Sequence, residues 1–390
     1  MTKSKNKWLK YYLFLTLSVS SFVIIEPAFY DLLMVLIILV GFLFSFYRFT
    51  RDLIFPLVVV CIFLISNLLS LLLQNEIGAS ILFSGITLYL ALTWIGLIGM
   101  GIKPPTLQFI VNGYLFSACF AALIGIFAYF DLLPSSEQYL MYDRAKAFFK
   151  DPNVFGPFLV MPALFAISRT EILEISVAKK IFYFFIFILL TTGIIISFSR
   201  AAWGNYAISL SIYLIVFKKA DLRKRFKTLF ILLLVGFPVL IYFTQIPLVE
   251  NLLASRLSYQ NYDESRFDTQ KAAFLAGLFH PFGIGPGQSD IIFRYSPHSL
   301  YMRLFSENGV VGLFSFVLFV LISLRRSFQS YWFTKNNNSV LFLIIFASLV
   351  GLAFNSFFVD TLHWRHFWLI LAFAWVPAIE QKEKRKGSLY

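Results

Sequence analysis

Apolar runs long enough to cross roughly 30 Å of hydrocarbon recur along the chain at about 11–25, 30–47, 53–73, 79–101, 107–133, 153–168, 181–199, 202–217, 228–243, 309–324, 339–359 and 367–379. This pattern predicts an all-α polytopic membrane protein with about 12 transmembrane helices. A few runs are short, among them 153–168, 202–217 and 367–379. Two polar stretches break the sequence of short loops, 134–152 and the longer 244–308. With no internal repeat or low-complexity linker, residues 1–390 are expected to form a single membrane domain. The segment 244–308 is expected to be a helical outer loop, the kind of element in which function tends to lodge.

Composition supports that reading: 59% of the residues are hydrophobic and 14% charged, too apolar for a water-soluble domain of this length. Cys61 and Cys119 both fall inside apolar runs and read as packing residues. The opening KSKNKWLK precedes an apolar run without a small-residue cleavage site, so a retained first span is expected.

The net charge of +13 raises the question of nucleic acid, and its distribution answers it. With both termini cytoplasmic, the inner segments carry 23 Lys and Arg and 6 acids, the outer ones 10 and 14. This is the positive-inside bias of a multi-span protein, so the basic excess orients the chain and no nucleic-acid partner is expected. Under that topology His280, His298, His363 and His366 all fall on the outer side.

The polar residues that remain suggest chemistry there. FSRAAW puts Arg200 where one span emerges and the next begins, a costly place for charge unless it faces a cavity or partner, and a guanidinium fork suits phosphate. A snorkelling interfacial arginine is the plainer alternative. YDESRFDTQKAAFLAGLF predicts an amphipathic helix starting near Asp263 with Arg266 in its first turn, where pairing with Asp263 or Glu264 is the structural alternative. GIGPG, with Gly285 and Gly287, lacks the Gly-Lys-Ser/Thr ending of a phosphate loop and reads as a tight turn allowing close backbone approach. In YSPHSLYMRLFSENGVVG, Ser296 is expected to cap the following helix, and Arg303 and Glu307, four apart, to pair on one face. His298 is either an interfacial helix-start residue or a base suited to take a proton from a sugar hydroxyl.

RAKAFFKDPNVFG sets Arg144, Lys146 and Lys150 on the outer face, against the charge bias, which suggests an anionic headgroup. Asp151 caps the next helix and Pro152 opens it. DTLHWRHFW offers Asp360, His363, Arg365 and His366 between the last two spans, and no Cys or Glu ligand converges there, so no metal is expected.

In their order and spacing, SRAAW, SRF, PFGIGPGQ and HSLYMRLFSENGVVG resemble the O-antigen ligase and O-antigen polymerase superfamily of bacterial envelope glycosyltransferases. DPNVFG and NSFFVDTLHWRHFW are similar to the polysaccharide-polymerase branch, and the likeness runs from about 144 to 368. It implies a lipid-carrier glycosyltransferase fold in the bacterial inner membrane, active on the extracytoplasmic face, without metal, nucleotide or other cofactor. The implied donor is an undecaprenyl-diphosphate-linked glycan, and the implied acceptor is a saccharide or lipid-linked hydroxyl. Membrane lipids surround the chain, and a chain-length regulator or flippase is a candidate partner. Arg200 and Arg266 match the arginines that hold the diphosphate, and His298 the base. Arg144, Lys146, Lys150, Arg303, His363 and Arg365 are expected to bind substrate; Glu307, Asp151, Gly285 and Gly287 are expected to shape the site. Ser299 stands where many relatives have Asn.

Direct attack by a hydroxyl on the anomeric carbon predicts inversion, with the arginines stabilising charge on the departing diphosphate. Polymerase is favoured over a ligase acting on lipid A-core. A twelve-span transporter is the rival from another class, although the candidate groups crowd at one mouth and not at mid-membrane. A metal-dependent hydrolase using His298, His363 and His366 is the third reading.

Overall fold

The computed structural model describes residues 3–74, 78–171, 175–217, 261–293, 295–334 and 338–377. Its elements are α1 (Lys3–Ser18), α2 (Phe29–Leu43), α3 (Ile54–Leu72), α4 (Gly78–Gly99), α5 (Pro104–Tyr129), α6 (Pro152–Thr170), α7 (Val177–Ile196) and α8 (Arg200–Val216). They continue with α9 (Asn261–Phe279), α10 (Ser289–Ile292), α11 (Leu300–Phe333), α12 (Ser339–Asn355) and α13 (Arg365–Ala374). Between α5 and α6 sits a two-residue antiparallel ribbon, β1 (Leu140–Met141) with β2 (Arg144–Ala145), pairing Met141 with Arg144.

The fold is therefore all-helical apart from that ribbon. Among the described residues five helical stretches are long and apolar enough to cross a membrane: Arg51–Leu72, Ser80–Gly99, Pro104–Tyr129, Val177–Ile196 and Leu300–Phe333. Phe29–Leu43, Ser339–Asn355 and Arg365–Ala374 are shorter apolar helices. The run at 228–243 and residues 244–260 of the long loop lie outside the described residues. The first helix starts well before the expected 11 and stops at Ser18, so the apolar stretch after it continues without helical structure. Large apolar side chains such as Leu36, Ile65 and Phe185 point outward from α2, α3 and α7, as they do when lipid replaces water as the neighbour. Cys119 packs against the core, whereas Cys61, expected to pack, is exposed on α3.

One break in the bundle positions the site. α11 is two helices joined at Gly309, whose φ of 68° and ψ of −167° no side-chain-bearing residue adopts easily. The break frees backbone groups, and neighbours take them up. Ser70 of α3 donates to the Glu307 carbonyl, and Ser66 donates to that of Asn308 at 2.8 Å. From the glycine-rich turn, the Gly285 N–H donates to the Glu307 carbonyl at 3.1 Å and the Ile284 N–H to that of Ser306 at 2.7 Å. Val310 N–H returns a bond to the Pro281 carbonyl at 3.1 Å. A broken helix at this depth is tolerable because the orphaned groups find partners in protein.

Candidate active site

The sequence 281–312 folds back on itself so that the glycine turn lies directly against the break in α11. A Cβ on Gly283 would fall 2.1 Å from the Glu307 carbonyl oxygen, and one on Gly309 would fall 2.0 Å from that of Pro281. Gly285 and Gly287 have φ of 106° and 75°, so the turn needs glycine both for conformation and for approach. The Gly287 N–H donates to Glu307 Oε2 at 2.8 Å, and the Ser289 N–H to Oε1 at 3.2 Å. Glu307, fully buried, thus clamps the turn to α11.

Arg303 completes the clamp. Its guanidinium is 3% exposed and pairs with Glu307 at 2.8 Å, Asp290 at 2.6 Å and Asp360 at 2.8 Å. It also donates to Ser296 Oγ at 2.8 Å and lies 5.2 Å from the centre of the Phe83 ring. The expected Arg303–Glu307 pair forms, and two further acids join it, so Arg303 binds protein carboxylates. Ser296, expected to cap α11, instead accepts from Arg303. The cap is Ser299, whose side chain accepts from the Met302 N–H.

The reason is His298. Its φ of 45° puts it in the left-handed region, uncommon for a residue with a side chain and found where surroundings enforce it. That turn places Ser299 at the helix start and lets the Leu300 N–H donate to the Ser356 carbonyl at 2.9 Å. His298 is half-buried. Its pKa is held below the usual 6.5 by burial and by the Arg266 and Arg303 cations, with the Asp151 and Asp360 carboxylates opposing. Four charged groups from four parts of the chain therefore act on one imidazole.

Arg266, in the first turns of α9, donates to the Phe358 carbonyl just beyond α12. Arg200 is the exposed first residue of α8, with Ser199 as cap accepting from the Ala202 N–H at 3.2 Å. One turn along, Gly204 abuts the Phe354 ring, where a Cβ would lie 2.7 Å away. Arg200 and Arg266 thus sit at the same end of the bundle as His298.

The 144–156 segment meets them there. Asp151 Oδ1 accepts from the Asn153 N–H at 2.7 Å and caps α6, as expected. Arg144, expected to bind an anionic substrate headgroup, is buried; its Nε donates to the Ser197 carbonyl at 2.9 Å and its Nη2 to Asn153 Oδ1 at 3.0 Å. Lys146 Nζ donates to the Gln138 carbonyl at 2.8 Å, and partial burial lowers its pKa. Lys150 pairs with Glu26 at 2.6 Å. On the far side, His363 shares a hydrogen bond with Thr87 at 2.9 Å and lies tilted against the Phe83 ring, and burial pushes its pKa down to about 4. Arg365 makes a two-pronged pair with Asp31, 2.7 Å on each prong, and reaches Glu26 at 3.6 Å.

Asp31, Glu26 and Asp290 escaped the sequence reading, and Asp360 was weighed only as a metal ligand. Asp31 left a signal nonetheless, being an acid at the head of an apolar run, where charge is expensive and usually partnered.

Residues 185–317 match the family model described as O-antigen ligase. That stretch is similar to the O-antigen ligase family. The matched stretch covers about a third of the sequence and holds Arg200, Arg266, the glycine turn, His298, Arg303 and Glu307. The O-antigen ligase match agrees with the motif resemblance, and the apolar helices agree with an integral membrane protein. No curated protein sequence matches the chain.

Proposed function

We propose that this protein is a metal-independent inverting glycosyltransferase that moves a glycan from undecaprenyl diphosphate to a saccharide hydroxyl. The favoured acceptor is another lipid-linked repeat unit, which makes the enzyme a polymerase. The chain crosses the bacterial inner membrane about twelve times with both termini cytoplasmic, and the site faces outward. The observation that carries the reading is the left-handed, half-buried His298, its imidazole biased toward the neutral form beside the Arg266 cation.

In this reading the neutral imidazole takes the acceptor hydroxyl proton as the oxygen attacks the anomeric carbon. The bond from that carbon to the diphosphate oxygen breaks, and the electron pair leaves with the diphosphate. Arg266 and Arg200 hold the departing anion, so charge develops against fixed donors. Asp151 and Asp360, near enough to oppose the arginines at His298, stabilise the imidazolium that results. Arg303 and Glu307 act at one remove, by holding the turn and the helix start in register.

The test is reconstitution with an undecaprenyl-diphosphate oligosaccharide in the presence of chelator. Wild type is expected to lengthen or transfer the glycan, with His298→Ala and Arg266→Ala each losing about 10²-fold or more in rate. Full turnover in both variants defeats the assignment, and loss of wild-type turnover on chelation defeats metal independence.

A further inference from the structure

The exposed face of α9 changes character along its length. From 261 to 271 the sequence NYDESRFDTQK is mostly polar, and Glu264, Phe267, Asp268 and Lys271 face outward. From 272 to 282 it reads AAFLAGLFHPF, with His280 the one polar side chain. There Phe274, Leu275, Leu278, Phe279 and Phe282 face outward, the last three 56%, 78% and 61% exposed. A bare apolar face of that size does not fit a helix lying wholly in water. A helix lying flat at an interface would instead carry its apolar residues as a stripe from end to end.

Packing gives the depth of the change. α9 runs beside the upper part of α11 and in the same direction. Arg266 acts on His298 at the top, a Cβ on Gly277 would fall 2.4 Å from the Phe305 ring, and at the break the Val310 N–H donates to the Pro281 carbonyl at 3.1 Å. The Phe274 and Phe305 rings lie 5.6 Å apart. On α11 the first charged residue below the break is Arg325. Counting up from there, about 20 residues at 1.5 Å each cover roughly 30 Å of hydrocarbon, whose far edge then falls at Phe305. Phe305 is the residue that Gly277 and Phe274 meet. The edge measured on one helix and the polarity change on the other therefore coincide to about one turn. Below it, the outward Val310, Val311 and Phe314 of α11 continue the apolar surface that Phe279 and Phe282 begin.

We infer that the last two turns of α9, together with Phe282, are immersed in the hydrocarbon of the lipid leaflet on the site's side of the membrane. The helix expected to belong to an outer loop is in part a membrane element. Lys271 marks the crossing, its stem along apolar surface and its ammonium among the headgroups. Arg266 stands about 8 Å further along the helix, at headgroup level. A ligand held at Arg266 thus keeps any hydrocarbon tail within the bilayer.

The experiment is nitroxide labelling of single cysteines on the full chain in nanodiscs, in a Cys61→Ser, Cys119→Ser background. Labels at Leu278→Cys and Phe279→Cys are compared with Glu264→Cys and Asp268→Cys, and with Phe314→Cys on α11. Collision with oxygen reports hydrocarbon, and collision with a neutral nickel chelate reports water. At 278 and 279 the oxygen-to-nickel ratio should match that at 314 and exceed that at 264 and 268 by roughly 10-fold, the partition expected of a reagent that gives up a hydrogen bond on leaving water. Equal ratios at all four α9 positions overturn the inference. So does low collision with both reagents at 278 and 279, which means that protein covers the face, from elsewhere in the chain or from a second copy. Should the labelled variants fail to fold, Phe279→Trp is read instead. Acyl chains brominated near the headgroup should quench its added emission, and quenching no stronger than for Glu264→Trp overturns the inference equally. Neither measurement reads transfer, so a failure here leaves the proposed activity standing.

Discussion

Replacing Arg303 with Met keeps much of the side chain's length and removes its charge from among three carboxylates. Two of those, Asp290 and Asp360, have side chains 47% and 21% exposed and recover water when the arginine goes. Glu307, at 0%, does not. It keeps only its bonds from the Gly287 and Ser289 N–H groups, so the penalty falls on one buried, uncompensated carboxylate. Breaking a buried pair from one side costs about 3–5 kcal/mol, or roughly 10²- to 10⁴-fold in the folded-to-unfolded ratio. Glu307 escapes by taking a proton, and the cost of doing so falls by about 1.4 kcal/mol for each pH unit of acidification. Unfolding in mixed micelles, followed by tryptophan fluorescence, should therefore show a large deficit for Arg303→Met at pH 8. The deficit should shrink at pH 5.5 and shrink again at pH 8 when Glu307→Gln is added, because the amide has no charge to strand. A deficit under 1 kcal/mol at pH 8, or one indifferent to both pH and Glu307→Gln, refutes the clamp.

Three further outcomes are expected. Because burial and Arg266 lower the His298 pKa, the neutral base persists below the usual 6.5, and kcat/KM should rise with pH to a plateau through a midpoint under that value. Arg266→Lys, which keeps the cation, should hold the midpoint, whereas Arg266→Ala should raise it; a midpoint above 6.5 in wild type counts against His298. Gly309→Ala meets both a φ of 68° and a carbonyl 2.0 Å from its new Cβ, so it should cost at least about 1–3 kcal/mol and cut folded yield. A wild-type yield would show that the break is dispensable. Asp31→Asn removes the charge from the two-pronged Arg365 pair and should lower stability by about 1–3 kcal/mol, discounted because Arg365 is 23% exposed. An unchanged melting midpoint would contradict that bond.

What the sequence disclosed and what it withheld divide along chain distance. Helix positions followed from apolar blocks because the backbone in hydrocarbon must pair with itself, which leaves a helix the local answer for any such run. The Asp151 cap, the Arg303–Glu307 pair and the glycine turn are likewise local, set by spacing within a few residues. Asp290 and Asp360 closing on Arg303, and Asp31 closing on Arg365 across 334 residues, depend on how helices pack, which no window of sequence contains. The exchange of Ser296 for Ser299 as cap has the same origin. Spacing allows either serine, and the left-handed turn at His298, fixed by contact with the end of α12, chooses. Arg144 was expected to meet an anionic headgroup, whereas the ribbon folds it inward onto Ser197 and Asn153.

The interrupted helix at Gly309 joins two mechanical worlds. Below it, α11 is a long apolar rod of the length that tilts to match hydrocarbon thickness; above it, the same rod begins two residues after the histidine. Since Ser66, Ser70 and the glycine turn tie the junction on opposite sides, a thinner or thicker bilayer that rocks the rod also shifts the imidazole against its arginines. Turnover should then respond to acyl-chain length in the host vesicle even when every head group and substrate is held constant.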